Sequence, residues 1–210
     1  MTHAHVARNF WNRQADRYAR KPVADEAAYR HKLSITQSYL RPHMDVLEFG
    51  CGTGSTALVH APFVRSILAT DLSPEMIAIA RQKAHVMAVS NVVFQDVSIE
   101  ELDAPSGHFD AILGLSVLHL VDGLEPTLNR VQSLLKPGGL FFSSTVCVRD
   151  MGAIPTALVG VLSAVRLGPP VNPFSADELV AALGRAGFDV VSTWRPAPTK
   201  ALFAVARKPE

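Results

Sequence analysis

Residues 45–55 read DVLEFGCGTGS, a short apolar run followed by three glycines at alternate positions. Val46, Leu47 and Phe49 are typical of a buried strand. The glycines then make a turn without side chains, which is needed where a ligand approaches the backbone closely. The turn opens a helix, whose first backbone N–H groups have no partners inside the helix. The stretch therefore predicts a strand, a ligand-binding turn and a helix.

An acidic residue follows the next apolar segment. Residues 65–70 read RSILAT, which predicts a second strand, and Asp71 comes directly after it. A carboxylate at this place in an open α/β sheet can accept hydrogen bonds from both hydroxyls of a ribose. The first third of the chain thus predicts a nucleoside-binding site on a doubly wound α/β sheet.

The position of Glu48 distinguishes between two classes of nucleoside ligand. The dinucleotide fingerprint Gly-x-Gly-x-x-Gly places a pyrophosphate on a helix N-terminus. Here a carboxylate lies two residues before the first glycine, where it would repel a pyrophosphate and attract a cation. S-adenosylmethionine (SAM) carries a sulfonium and an amino group and has no phosphate. The charge pattern therefore favours SAM.

The pattern Glu48-x-Gly50-x-Gly52-x-Gly54 resembles the first motif of the class I SAM-dependent methyltransferases. Four later stretches resemble further motifs of that family in the same order: DLSPEM at 71–76, NVVFQDV at 91–97, FDAIL at 109–113 and LLKPGGL at 134–140. Within that family the chain is similar to the small-molecule, ubiquinone/menaquinone-type enzymes. The resemblance implies a Rossmann-like, doubly wound seven-stranded sheet. That sheet is mostly parallel, ends in a C-terminal antiparallel hairpin and has helices on both faces.

The resemblance also implies which residues bind SAM and its product S-adenosylhomocysteine (SAH). Asp71 would bind the ribose, Asp96 would meet the adenine amino group, and the turn around Gly50 and Gly52 would lie under the methionine portion. Glu48 would order the turn or meet the amino group through water. The complete predicted set is Tyr18, Glu48, Gly50, Cys51, Gly52, Gly54, Asp71, Leu72, Met76, Asp96, Val97 and Ser116. No group of residues has metal-ligand spacing, so no metal is predicted.

Two members of this set have an equally simple structural interpretation. Met76 lies on the apolar face of a predicted helix over 74–88, so it either packs in the core or contacts adenine. Val97 either packs on adenine or is an ordinary turn residue.

The N-terminal residues 8–21 carry apolar side chains at helical spacing. They form either a helix on the sheet edge or a cap over the cofactor. Trp11, Ala15 and Tyr18 resemble the Trp-x-x-x-Ala-x-x-Tyr opening of many small-molecule methyltransferases, whose tyrosine faces the methionine end. We therefore expect residues 1–44 to form a helical cap, with a second helix over 24–40 across the substrate mouth.

Residues 114–122 follow the predicted fourth strand, where the methyl group and the acceptor meet. They lack the Asn/Asp-Pro-Pro-Tyr motif that holds flat amino groups in some relatives, and they resemble a Ser-x-x-His loop formed here by Ser116 and His119. His119 is a candidate general base near pH 7. The alternative is that His119 only orders this loop by hydrogen bonding to its backbone.

Residues 151–165 form a run without charge that is too short for the roughly 20 residues of a membrane span and contains Pro155. Three interpretations stay open: an apolar lid over the acceptor site, a helix buried against the core, and a contact with a partner or membrane surface. We expect a lid insertion over 149–174, which implies an apolar acceptor.

Composition limits the remaining possibilities. The 210 residues suit a single domain over 1–210, and a net charge of +1 without a basic stripe argues against a nucleic-acid partner. Two cysteines, Cys51 and Cys147, are too few for a disulfide framework and predict free thiols in the cytoplasm. The oligomeric state stays open.

The sequence thus predicts a SAM-dependent methyltransferase that moves a methyl group to a small apolar acceptor by in-line displacement. The alternatives are a SAM-binding protein that does not transfer methyl and a dinucleotide-dependent oxidoreductase.

Overall fold

The computed structural model of the chain describes residues 3–164 and 168–210. The strands of the described residues are β1 (Asp45–Phe49), β2 (Ser66–Thr70), β3 (Val92–Gln95), β4 (Phe109–Leu115), β5 (Leu135–Thr145), β6 (Asp189–Trp194) and β7 (Leu202–Arg207). They form one sheet in the order β3-β2-β1-β4-β5-β7-β6. The first five strands are parallel, and β7 runs antiparallel to both β5 and β6. The predicted fold class is confirmed.

The α-helices of the described residues are α1 (His3–Arg20), α2 (Glu26–Tyr39), α3 (Ser55–His60), α4 (Pro74–Val86), α5 (Leu124–Leu134), α6 (Ala153–Ala164) and α7 (Ala176–Arg185). Short 3-10 turns lie at Ala61–Phe63, Leu118–Leu120 and Val148–Met151. The Ser73 hydroxyl caps α4 by accepting from the Met76 N–H, and Ser175 with Glu178 forms a capping box at α7. No helix in these described ranges has the length and apolar character of a membrane span.

Both faces of the sheet are covered by helices, which bury two separate apolar clusters. Leu128 of α5 and Leu183 of α7 belong to the cluster on one face, and Leu58 of α3 and Ile77 of α4 belong to the other. A parallel sheet covered in this way leaves the carboxyl ends of its strands as the open edge for ligands. Asp71, Asp96 and Ser116 all follow strands at that edge.

Strand β5 begins five residues earlier than the sequence suggested, at Leu135 instead of residue 140. The pairing shifts between Phe109 and Ala111, which lie opposite Leu135 and Leu140, so the glycine turn forms an irregularity inside the strand. Lys208 holds it in place, because its backbone carbonyl accepts from the Gly138 N–H and its ammonium donates to the Leu135 carbonyl. These contacts come from the far end of the chain, so local turn residues could not predict them.

The uncharged segment forms α6, which the Thr156 hydroxyl joins to the carbonyl of Val148 by a 3.0 Å hydrogen bond. Ile154 is 84% exposed, and Leu158 and Val161 are also exposed. The described part of the segment is therefore not a helix buried against the core. The last residues of the predicted segment, 165–167, lie outside the described residues.

Candidate active site

The glycine turn after β1 is held in shape by backbone conformation and by its neighbours. Gly50 and Gly52 have φ values of +63° and +53°, which favour glycine. A Cβ on Gly50 would lie 2.4 Å from a Val117 methyl group, so the turn and the loop after β4 approach each other too closely for any side chain. The Cys51 N–H donates to the Thr70 carbonyl at 2.9 Å, which fixes the turn to β2.

Asp71 orders this turn through both of its carboxylate oxygens. One oxygen accepts from the Gly52 N–H and the other from the Ser73 N–H, each at 2.9 Å. Burial raises the pKa of Asp71, although these two N–H donors act in the opposite direction. Each oxygen keeps a further lone pair, so the carboxylate can still accept hydrogen bonds from a diol such as a ribose.

A narrow cavity of about 130 Å³ lies between α1 and the carboxyl ends of β1, β2 and β4; we call it the nucleoside cavity. The Asn12 amide oxygen accepts from the Ser73 hydroxyl at 2.6 Å, which joins α1 to the start of α4. Trp11 and Tyr18 of α1 form one wall. The predicted site residues that line this cavity are Tyr18, Gly50, Gly52, Asp71, Leu72, Met76, Val97 and Ser116.

A second cavity of about 530 Å³ lies beside it. We call it the α2 cavity because α2 supplies one wall. The sequence predicts a helix across the substrate mouth at this place. Its lining includes the predicted residues Glu48 and Cys51. The two cavities share five lining residues: Tyr18, Gly50, Gly52, Leu115 and Ser116. They therefore meet at the glycine turn and the end of β4, so a ligand in one cavity can touch a ligand in the other.

Glu48 differs from the sequence expectation in its charge. Its side chain is 3% exposed, and its Oε2 atom has no hydrogen-bond partner among the described residues. Burial raises the pKa of Glu48 to about 8, so the carboxyl is mainly protonated at neutral pH. The sequence suggests that a negatively charged Glu48 attracts a cation. That attraction requires the Glu48 carboxyl to lose its proton when the cation binds.

This buried carboxyl predicts a pH-dependent stability difference between the wild type and Glu48→Gln. The pKa of Glu48 is raised in the folded protein, so its stabilising contribution is present below the ordinary value of 4.5 and is lost as the pH rises towards 8. Glutamine has no proton to lose. We expect the two proteins to unfold alike near pH 5 and the variant to be more stable at pH 8, by on the order of 4 kcal/mol. Urea unfolding at several pH values measures this, and parallel pH profiles would contradict it.

Asp96 and Gly54 do not line either cavity. Asp96 follows β3 as predicted, but its half-exposed carboxylate lies 3.8 Å from the guanidinium of Arg81 on α4 and outside the cavity lining. The lining there comes from the next residues, beginning with Val97. A Cβ on Gly54 would overlap Phe94 and Ala80, so close packing under the turn explains the glycine at this position.

His119 lies in the 3-10 turn Leu118–Leu120 and also lines neither cavity. Burial lowers its pKa to about 4, so the imidazole is neutral and a weak base at pH 7. Its Nδ1 atom has no hydrogen-bond partner among the described residues, so that atom does not order the loop in the way the alternative interpretation requires. Its backbone carbonyl accepts from the Asn172 N–H at 2.7 Å and so joins this loop to the segment before α7.

Two further predictions concern the lid and metal ions. No described residue between 149 and 174 lines either cavity, so the lid over the acceptor site stays a prediction. Within residues 3–164 and 168–210, no three His, Cys, Asp or Glu side chains come together in a way that could hold a metal ion.

Comparison with known proteins identifies the family. A family model described as a methyltransferase domain matches residues 11–193, which is most of the chain. The chain belongs to the methyltransferase domain family. The resemblance inferred from the five motifs is therefore confirmed, and the dinucleotide-dependent oxidoreductase alternative is set aside.

Two curated relatives illustrate the range of this methyltransferase family. The reducing polyketide synthase Preu2 of Preussia isomera is 29% identical over 174 residues, which are 77% of this chain and 7% of that protein. A ubiquinone biosynthesis O-methyltransferase of Xanthomonas axonopodis pv. citri is 34% identical over 151 residues, which are 69% of this chain and 62% of that enzyme. The chain spans less than two thirds of the length of either relative.

A solved structure with the same methyltransferase fold is the geranyl diphosphate C-methyltransferase from Streptomyces coelicolor A3(2), which holds Mg²⁺, geranyl diphosphate and SAH. It aligns with a TM-score of 0.79 at 14% identity, covering 99% of this chain and 98% of that chain. An identity this low shows the fold alone. Together with the family match, it confirms the prediction of SAM as the cofactor of this family.

The residues of the nucleoside cavity fit SAM. Asp71 offers a carboxylate to a diol, while Leu72, Met76 and Val97 provide the apolar walls that a flat base requires. A Cβ on Gly52 would lie 3.7 Å from the Tyr18 ring and would fill the space between them. The Glu48 carboxyl, whose Oε2 atom has no hydrogen-bond partner among the described residues, lines the α2 cavity.

The sequence did not single out several polar residues of the α2 cavity as site residues. They are Tyr29, Lys32, Thr56, His60 and Ser144. The Tyr29 and Thr56 hydroxyls lie 3.3 Å apart, and the Lys32 ammonium donates to the Ser144 hydroxyl at 3.1 Å. These residues come from three separate elements, so their common place depends on how α2 packs over the sheet. Only the expectation of a helix across the substrate mouth pointed to this region.

Proposed function

We propose that this chain is a SAM-dependent methyltransferase whose small-molecule acceptor enters through the α2 cavity. The observation that carries the proposal is the junction of the two cavities at Gly50, Gly52 and Ser116. A methyl group at this junction would face an acceptor in the neighbouring cavity directly. Proximity and alignment of this kind can supply about 7–11 kcal/mol of rate enhancement.

The predicted site residues acquire distinct roles in this proposal. Asp71 holds the ribose and the glycine turn at once, Met76 and Val97 enclose the base, and Gly50 and Gly52 pass under the methionine portion. Tyr18 covers the junction from the side of α1. Bound SAM supplies an electrophilic methyl group on positively charged sulfur, and the protein supplies binding and alignment for in-line displacement.

The junction lacks a strong base in the described residues. Burial raises the pKa of Tyr18, which keeps its phenol neutral, and the Glu48 carboxyl is mainly protonated at neutral pH. We therefore propose an acceptor that forms its own nucleophile readily, such as a phenol or thiol. Its proton then passes to solvent during transfer.

Titration calorimetry with SAM, SAH and NADH tests this function. We expect Kd values of about 1–10 µM for both sulfur compounds and no heat from NADH. Incubation with SAM and fractionated small metabolites should then release SAH and give a methylated product. SAM binding without a methylated product from any fraction would favour the alternative of a SAM-binding protein that does not transfer methyl. No binding of either sulfur compound would contradict the proposal.

The cytoplasmic location, the absence of a nucleic-acid partner and the possible membrane contact through α6 stay predictions. Charge introduced by Leu158→Glu should abolish any binding of the protein to lipid vesicles, since Leu158 is exposed on α6.

A further inference from the structure

Lys32 is a cation that lines the α2 cavity and is held there by a hydroxyl. Its ammonium donates to the hydroxyl of Ser144, which is 2% exposed. Among the described residues, no carboxylate lies within ion-pair distance of Lys32. Asp25 also lines this cavity and caps α2 by accepting from the Ala28 N–H; its charge raises the pKa of Lys32, but less than burial lowers it. A partly buried ammonium whose nearest carboxylate lies beyond ion-pair distance is stabilised when an anion contacts it directly.

The place of this cation in the sheet separates it from the cofactor. Ser144 lies at the carboxyl end of β5 opposite Leu115, and its carbonyl accepts from the Ser116 N–H at 2.6 Å. Strand β4 lies between β5 and β1, so Ser144 is two strand spacings, about 10 Å, from the glycine turn. The methionine portion of SAM would follow the glycine turn. The Lys32–Ser144 pair therefore lies on the acceptor side.

Apolar side chains line part of the cavity that holds the pair. They include Leu33, Leu115, Trp194 and Phe203. Burial lowers the pKa of Lys32, in agreement with its partial removal from water, and Glu48 contributes little negative charge at neutral pH. The cavity thus combines apolar side chains with a positive charge at Lys32, and Lys21 and Lys200 in its lining add to that positive charge.

We propose that Lys32 and Ser144 form a carboxylate-binding subsite, and that the acceptor is an amphipathic small molecule with an apolar body and one carboxylate. One ammonium and one hydroxyl match the single charge and two oxygens of a carboxylate. The subsite holds the acceptor so that its nucleophile faces Ser116 at the junction. This inference rests on the proposed function and adds the acceptor class to it.

Matched acid and alcohol probes test the subsite: decanoate with decanol, and 4-phenylbutyrate with 4-phenylbutanol. Calorimetry with and without saturating SAH should show the wild type binding each acid about tenfold tighter than its alcohol. Lys32→Met should abolish this preference and leave the alcohols within about twofold. Lys32→Arg keeps the charge and should retain most of the preference, which separates a charge effect from misfolding.

Three results would overturn the inference. The first is equal affinity of the wild type for acids and alcohols, and the second is an unchanged acid preference in Lys32→Met. The third is that Lys32→Arg binds neither the acids nor the alcohols although its melting temperature equals that of the wild type. A parallel titration with SAH and its decarboxylated analogue identifies the source of the carboxylate. If Lys32→Met weakens the binding of SAH but not of its decarboxylated analogue, the subsite binds the carboxylate of the cofactor. That result would also overturn the inference. Failure of the wild type to bind SAH would contradict the proposed function instead, and the probes without SAH would still decide the subsite.

Discussion

Asp71→Ala is expected to weaken the binding of SAH by at least about 100-fold, because the substitution removes a ligand contact and the order of the turn together. Its carboxylate accepts from the N–H groups of Gly52 and Ser73. In the proposed site the carboxylate also accepts from the two ribose hydroxyls. Hydrogen bonds to a charged group contribute about 1.5–3 kcal/mol each, so the loss of these two ligand contacts accounts for this factor. Titration calorimetry of the variant with SAH measures it.

Asp96→Ala is the matched control for this prediction. The motif resemblance assigns Asp96 to the adenine amino group, but the structure places its carboxylate beside Arg81 and outside both cavities. We expect SAH to bind this variant within about threefold of the wild type. A large loss in Asp96→Ala, or near-normal binding in Asp71→Ala, would contradict the arrangement of the site described here.

Gly54→Ala is expected to reduce the free energy of unfolding by about 3 kcal/mol, the sum of backbone strain and overpacking. Gly54 has a φ of +73°, and an added Cβ would lie 2.7 Å from the Phe94 ring and 2.8 Å from the Ala80 methyl group. Both neighbours are buried, so neither can move away without disturbing the core between β3 and α4. Urea unfolding followed by circular dichroism gives the difference.

Gly107→Ala separates the two causes. Gly107 has a similar φ of +64°, but the nearest atom to an added Cβ lies 4.0 Å away. This variant should lose only about 1 kcal/mol from the positive φ. Equal losses in the two variants would show that the overlap with Phe94 and Ala80 contributes nothing.

The sheet could be predicted from local sequence because its signals are local. Val46, Leu47 and Phe49 form a short apolar run typical of a buried strand, and Ser73 followed by Pro74 is a local signal for the start of a helix. The early start of β5 could not be predicted in this way. It depends on Lys208, which is far away in the sequence and meets the Gly138 turn only after β7 has paired with β5.

The candidate site also has one part that local sequence predicts and another part that depends on the tertiary structure. Asp71 and the glycine turn are adjacent in the fold because consecutive parallel strands end together, so the motif spacing was sufficient. The pair formed by Lys32 and Ser144 joins residues 112 positions apart, and no spacing rule connects them. His119 has the right neighbours in sequence, but the 3-10 turn buries it away from the cavities, and only the tertiary structure shows that its pKa is lowered to about 4.

A crystal structure of the protein with SAH would show whether cofactor and acceptor meet where the two cavities join. We expect ribose hydroxyls within about 3.2 Å of the Asp71 carboxylate and the sulfur beside Gly50 and Ser116. The α2 cavity beyond the sulfur, including Lys32, should stay open for the acceptor. SAH with its carboxylate on Lys32, or with its ribose away from Asp71, would disprove this arrangement of the site.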